Sequence, residues 1–378
     1  MSVSAERVRD LAFELVGVRS PTGDTARVAR LYARRLTEIG MDVMVLDDHF
    51  PATPTVIGRL RGGERGPTVV LNGHLDTVEI PHAAPHIDGD VVCGRGSADM
   101  KGALASAAEA VRVLGEQGGF KGEVAIVATG LHEAPDGRGE DLTHLLGEQG
   151  FTADYAIVCE LAAHEAIVAH LGSATFEITI SRPGMPMHEL EAPRGTPHPL
   201  LAAGQVINAI ARRTAELAET EHPFVGAETF FIGEVHGGDF YNRHPTTCRL
   251  VGTRRWAPTN SLAAVETELR ELLAEIAKVT LCEIALDLRL VRGAYEIDPS
   301  HPLLLALQDS YREVTGRELA QGGLKTVADG AIFAAAGIPS VYHGPKGCGA
   351  HADEEQMPVA ELVRAAEVYV TLLNRLLS

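Results

Sequence analysis

Apolar side chains recur at helical spacing over residues 6–17 and 24–39, and "RSPTGD" between them reads as a turn. Three apolar runs of strand length follow: "MDVMVL", "TVIGRL" and "TVVLNGHLD". "MKGALASAAEAVRVLGEQG" reads as an Ala-rich helix stopped by glycine. "GEVAIVA" and "ADYAIVCE" are again short and apolar, each leading into a loop that carries acidic residues or histidine. Near-continuous apolar strands between helices predict an α/β layer structure with a mostly buried sheet.

From Gly172 the pattern changes. "ATFEITISR" alternates, "HPLLAAGQVINAIARRTAELAE" has helical period, and "ETFFIGEVHGG" and "TTCRLVGTRR" read as two more strands. "NSLAAVETELRELLAEIAKV" is a second helix, with Asn260 as its expected cap, and "CEIALDLRLV" closes as a strand. The order β-α-β-β-α-β is that of a ferredoxin-like unit. Beyond "RGAYEIDPSHP" the chain returns to helices, short strands and a glycine-rich turn. The expected organisation is a discontinuous catalytic domain, residues 1–171 and 292–378, interrupted by an inserted α+β domain over 172–291.

Composition narrows the functional classes. A chain of 378 residues exceeds the roughly 250 at which one core stops growing, in keeping with two domains. Thirty-three basic against 51 acidic residues give a net charge of −18, which argues against a nucleic-acid partner. The five cysteines are scattered and lack any Cys-x-x-Cys pair, so a reduced compartment is expected. The charged, helical start does not resemble a signal peptide, and no apolar run reaches the roughly 18 residues of a membrane span. A cytoplasmic protein without membrane contact is the expectation.

Candidate chemistry gathers where strands end. His74 and Asp76 are two residues apart in "NGHLDTV", so Asp76 could orient His74 from behind. Asp99 follows "GRGSA", Glu160 ends "YAIVCE", Glu133 lies in "ATGLHEAPDGRG", and His351 follows the glycine-rich turn. Each has an ordinary reading by itself: Asp99 as a helix cap, Glu160 as a solvated carboxylate, either histidine as a hydrogen-bonded surface residue. Together, imidazole and carboxylate donors suit divalent metals such as zinc, and a shared carboxylate can hold two ions. "GRGSAD" lacks the spacing of a phosphate-binding loop.

"NGHLDTV" followed by "GRGSADMKGA", then Ala328-Asp329, "YHGP" and "GAHADEE", resembles the dinuclear zinc peptidases and deacylases of the M20 family. That group includes acetylornithine deacetylase, succinyl-diaminopimelate desuccinylase, aminoacylase and glutamate carboxypeptidase. The resemblance spans essentially the whole chain, with weaker matches at "FEITISRPGMPMH" and "YNRHP". It implies a zinc-peptidase-like mixed-sheet catalytic domain and an inserted lid that also dimerises. It implies two zinc ions, with cobalt or manganese as alternatives. His74, Asp99 and Glu160 would hold one ion, with Asp76 supporting His74; Asp99, Glu133 and His351 would hold the other. His188 would steady the developing oxyanion. Asn242 and Arg255, or Arg254 in its place, would grip a substrate carboxylate, with Gly344 nearby through its backbone and Glu355 in support.

One segment departs from the family. Members carry two adjacent glutamates after this strand, the first the general base and the second a metal ligand; here the pair reads His132-Glu133. Counting forward from the strand puts His132 at the base and Glu133 at the ligand position. Counting back from the "GRG" turn puts Glu133 at the base and Ala134 at the ligand position. The forward count is favoured, because a strand's period of two fixes direction whereas a Pro/Gly loop absorbs extra residues. An imidazole, with a pKa near 6.5, suits proton abstraction. The expected activity is metal-dependent hydrolysis of the amide bond in a small N-acyl amino acid or related carboxylate-bearing compound. The alternatives are a dipeptidase, aminopeptidase or carboxypeptidase, or a non-hydrolytic metal- and ligand-binding homologue.

Overall fold

A computed structural model describes residues 2–133, 135, 137–160 and 164–378. The chain divides into two compact units, one of residues 1–168, 297–322 and 328–378, the other of residues 169–296 and 323–327.

The first unit opens with helices α1 (Ala5–Val16) and α2 (Ala26–Glu38), then strands β1 (Asp42–Leu46), β2 (Thr55–Arg61) and β3 (Glu64–His74). Helix α3 (Gly102–Gln117), strand β4 (Lys121–Thr129), helix α4 (Glu140–Gly147) and strands β5 (Tyr155–Val158) and β6 (Glu165–His170) follow. Beyond the second unit the chain returns with helices α7 (Pro302–Thr315) and α8 (Gly330–Ala335), strand β11 (Ser340–Tyr342) and helix α9 (Val359–Leu376). The sheet runs β1–β2–β4–β3–β5–β11–β6. Its centre, β4–β3–β5–β11, is parallel, and antiparallel strands flank it. Val69, Val70 and Leu71 of β3 and Val124 to Ala128 of β4 are wholly buried, as continuous apolar strands require. Helix α3 is buried around nearly its whole circumference. Its alanines let α1 and α9 pack closely on it, the use a small-residue helix has in a core.

The second unit contains β7 (Gly172–Ser181), α5 (Pro199–Leu217), β8 (Thr229–Gly237), β9 (Thr247–Trp256), α6 (Leu262–Thr280) and β10 (Glu283–Arg292). Its antiparallel sheet has the order β8–β9–β7–β10, with α5 and α6 packed on it. Phe176, Ile178, Ile180 and Leu250 of the sheet meet Val206 of α5 and Val265 and Leu269 of α6 in one core. The expected cap of α6 is corrected: Ser261 Oγ, not Asn260, accepts from the Ala264 amide at 3.3 Å. The Asn260 side-chain amide is drawn away to the Glu228 carboxylate at 3.2 Å. The architecture is α/β, a mixed central sheet with a separate small antiparallel-sheet unit.

Candidate metal centre

The parallel strands of the first unit end at one edge of the sheet, where an open α/β sheet presents its crevice. β3 stops on His74, β4 leads to His132 and Glu133, β5 leads to Glu160, and β11 leads to Gly344.

Asp99 stands ahead of α3 with extended backbone, φ −129 and ψ 91, and the peptide that follows it is cis. Its reading as the cap of that helix does not hold. Oδ1 lies 3.1 Å from His74 Nε2 and Oδ2 3.5 Å from His351 Nε2, so one carboxylate faces both histidines. Glu133 Oε1 lies 3.2 Å from His351 Nε2, and Glu160 Oε2 3.6 Å from His74 Nε2. His351 has φ +63, a left-handed conformation that costs a non-glycine residue and is held here by the turn around it. His74 Nδ1 donates to the Asp76 carbonyl at 2.9 Å, leaving Nε2 turned toward the carboxylates.

Asp76 does more than stand behind His74. Its Oδ2 accepts from Thr22 Oγ1 at 2.9 Å and from the amides of His132 and Glu133 at 3.0 and 2.8 Å. One buried carboxylate therefore fixes the turn that follows β4. Glu355 plays the same part elsewhere: its Oε1 accepts from the Ala98 and Asp99 amides at 2.8 Å, and its Oε2 takes Arg95 at 2.9 Å. The loop of His351 and the turn of Asp99 are tied together there.

His132 is gripped on three sides: by Asp76 at its amide, by His74 across its ring, and by Asp329 Oδ1 at 3.0 Å from Nδ1. The two imidazoles are parallel within 2°, their centroids 4.1 Å apart. Ligand atoms of His74, His132 and Glu160 fall within 4.8 Å of one another, as do those of His74, Asp99 and Glu133. The stacking separates these sets. An imidazole binds a metal in its own plane, so two rings that share an ion must have planes that meet there; parallel planes do not. His74 and His132 in this arrangement do not ligate the same ion.

The electrostatics are those of a site short of positive charge. Burial opposes charge on His74, but the neighbouring carboxylates of Asp76, Asp99 and Glu160 outweigh it and raise its pKa well above the usual value. Asp99 pulls His351 up to about 9. His132 reaches about 9 as well, burial and His74 being outweighed by Asp329 and Glu160. Burial, then Asp99, pushes Glu133 up, whereas histidine contacts hold Asp99 below the ordinary carboxylate range against burial. Both Glu160 oxygens are buried and have no hydrogen-bond partner among the described residues. A buried carboxylate without a partner costs several kcal/mol, roughly, and a divalent cation is the partner this donor set fits.

Asp141 braces the turn from below. Its Oδ2 accepts from the Gly130 amide at 2.6 Å and its Oδ1 from Leu142 at 2.9 Å, while burial pushes its pKa up to about 7. A carboxyl raised on folding costs nothing below its unfolded pKa of about 3.9, where both states are protonated. Between there and pH 7 only the unfolded chain loses its proton, so this group makes stability fall as pH rises and level off above 7. Asp141→Asn is expected to remove a slope of up to about 1.4 kcal/mol per pH unit in that window, read by urea unfolding at several pH values.

Gly344 packs where a side chain has no room: a Cβ would lie 2.5 Å from the Cys159 carbonyl oxygen and 3.0 Å from Glu160 Cα. Gly344→Ala is expected to displace Glu160, lowering stability by about 1–3 kcal/mol and weakening metal retention under chelator challenge. Unchanged stability and metal retention would refute this packing account.

The remaining expected residues lie in the second unit. His188 is exposed and its Nε2 is 3.1 Å from Asn242 Nδ2. Arg255 is half-buried and donates to the Lys325 carbonyl at 3.1 Å. Arg254, the alternative to it, is fully buried, paired with Glu228 at 2.6 Å and Glu268 at 3.1 Å and packed over Phe230. It is committed to that unit's core. Position 134, the ligand of the backward count, lies outside the described residues. In the sequence Asp329 stands out only as part of the family segment Ala328-Asp329. An aspartate before "GAIF" reads as an ordinary helix cap, and nothing local signals its histidine partner.

Comparison with known proteins gives the family. Residues 70–375 match Peptidase family M20/M25/M40. N-formyl-4-amino-5-aminomethyl-2-methylpyrimidine deformylase of Halalkalibacterium halodurans is 27% identical, covering 93% of this chain and 88% of the relative. Succinyl-diaminopimelate desuccinylase of Halorhodospira halophila is 28% identical, covering 98% of each. The crystal structure of aminopeptidase PepT from Bacillus cereus superposes with a TM-score of 0.83 over 100% of both chains at 22% identity. YXEP of Bacillus subtilis, described as a dinuclear metal binding peptidase, gives a TM-score of 0.77 at 17% identity, covering 99% of this chain and 98% of that one. Among the described residues no helix is long and apolar enough to cross a membrane. The chain belongs to the M20/M25/M40 peptidase family of metallohydrolases.

Proposed function

We propose that this family member is a metal-dependent amidohydrolase that cleaves a small N-acyl amino acid or a related carboxylate-bearing amide. The observation that carries the reading is the convergence of Asp99, Glu133 and Glu160 on His74 and His351, with neither Glu160 oxygen hydrogen-bonded among the described residues. His74, Asp99 and Glu160 would hold one divalent ion, and Asp99, Glu133 and His351 a second. Zinc best matches these donors. When bound, the ions supply Lewis acidity at the scissile carbonyl and to the attacking water.

The protein's part is to orient and to move a proton. His132 takes the proton of the attacking water on its ring and returns it to the leaving amine. The surrounding carboxylates favour its charged form, and cations at the ligand positions act in the opposite sense, returning the ring toward neutrality. His188 as oxyanion donor, and Asn242 and Arg255 as grips for the substrate carboxylate, follow from the family resemblance. The contact of His188 with Asn242 within the second unit is in keeping with a shared task. Pairing of two protomers through the second unit is part of the same reading, supported by exposed Phe231 and Val235 on the edge strand β8. Five free cysteines fit a reducing cytoplasm.

A deacylase is favoured over a peptidase because the curated relatives named above, a deformylase and a desuccinylase, are 27% and 28% identical, against 22% and 17% for the two peptidases of known structure. The test is a panel of N-formyl, N-acetyl and N-succinyl amino acids and dipeptides, assayed with chelator and with added zinc or cobalt. Metal-dependent release of the free amino acid supports the reading. Preferential cleavage of dipeptides makes the protein a peptidase. Saturable binding without product makes it a binding homologue.

A further inference from the structure

The substitution of histidine for the family's glutamate leaves a question the metal ligands do not answer. A glutamate offers two equivalent oxygens, but an imidazole works as a base through one nitrogen, and only if the other carries the hydrogen. We infer that Asp329 is the positioning residue that meets this requirement, holding the His132 ring with its Nδ1 hydrogen on the carboxylate and its Nε2 lone pair free. The inference rests on the reading of His132 as the proton acceptor.

Three features support it. The Asp329 carboxylate is buried, only 2% exposed, and lies 3.0 Å from Nδ1. An ionised carboxylate can only accept, so Nδ1 is the donor and Nε2 of the neutral ring is bare. Next, Asp329 occupies the cap position of α8 and yet makes no side-chain bond to its own helix. An aspartate there ordinarily accepts from the amides of the first turn. Here the Gly330 amide donates to Tyr342 Oη at 2.7 Å, which anchors the helix start to β11. Finally, the stack on His74 sets the plane of the ring, and the backbone hydrogen bond to Asp76 anchors the residue that carries it, so that Nδ1 meets Asp329. A side chain needed only to begin a helix would not point away from it at a histidine that Asp76 and His74 already hold.

The test combines tautomer and turnover in the zinc-loaded protein. With 15N-labelled histidine, His132 of the unaltered protein is expected to show a protonated Nδ1 and an unprotonated Nε2; the reverse tautomer overturns the inference without any variant. In Asp329→Asn the side-chain amide can donate to Nδ1, so the expected result is a shift toward the Nε2–H tautomer. A fall in kcat of about 10²- to 10⁴-fold should accompany it, with KM and metal content close to unchanged. If that variant does not fold, Asp329→Ser is measured in its place against the same expectations. Turnover retained, or lost without a change of tautomer, contradicts a positioning role. His132→Gln separates the two levels. If it retains full turnover, the proton-acceptor reading fails; if it is inactive while Asp329→Asn keeps both tautomer and rate, only the role of Asp329 fails.

Discussion

Asp99→Ala is expected to cost at least about 10³-fold in kcat/KM and to reduce bound metal from two ions to one or none. Lewis-acid stabilisation amounts to several kcal/mol, and each 1.4 kcal/mol or so is tenfold in rate. The size of the effect follows from where the two oxygens point, one at His74 and the other at His351, so that one substitution removes a donor from both proposed ion positions. The fold should survive, because Asp99 lies outside the hydrophobic core and the Glu355 bonds to its turn go to backbone amides. Thermal unfolding gives the independent readout. Zinc that binds only the folded state raises Tm by mass action, and this rise should shrink in the variant. A full metal complement in Asp99→Ala would remove it from the ligand set.

His132→Ala is expected to behave differently: kcat lower by about 10²- to 10⁴-fold with both ions retained. His132→Glu, which restores the adjacent glutamates of the family, should recover at least about tenfold of that loss. The contrast between the two positions carries the information. A ligand variant loses metal and rate together, whereas a base variant loses rate alone. If His132→Ala loses metal in proportion to activity, the ring is a ligand and the proton acceptor lies elsewhere. If it loses neither, the histidine is a passive replacement.

Much of this was legible from residues alone, and where it was not the cause is physical. Strands β3 and β4 are readable because buried parallel strands are continuously apolar, and they end where His74, His132 and Glu133 begin. The unit begun by β7 is readable because one face of its sheet is buried, which imposes alternation. The cap of α6 falls one residue later than the pattern predicts, since Asn260 and Ser261 are both good caps and only the distant Glu228 decides between them. Asp99 reads as a cap for the same reason. Its extended backbone follows from the tertiary bonds of Glu355 to its turn, made across 256 residues of chain. Segment 323–327 joins the second unit through contacts such as Leu171 with Leu324, which no local period encodes. Asp329 stayed hidden because its partner lies 197 residues away. Register at His132-Glu133 could be argued from strand direction, but what each side chain touches required the fold.

The most direct test of the account is a crystal structure of the zinc-loaded protein with anomalous scattering measured at the zinc edge. The predicted result is two ions bridged by Asp99, a Glu133 oxygen and His351 on one, His74 and Glu160 on the other, each at about 2.0–2.2 Å. His132 should remain on Asp329, with neither ring nitrogen bonded to metal. A His132 nitrogen at about 2.1 Å from an ion, or Glu133 turned away from both, would contradict it.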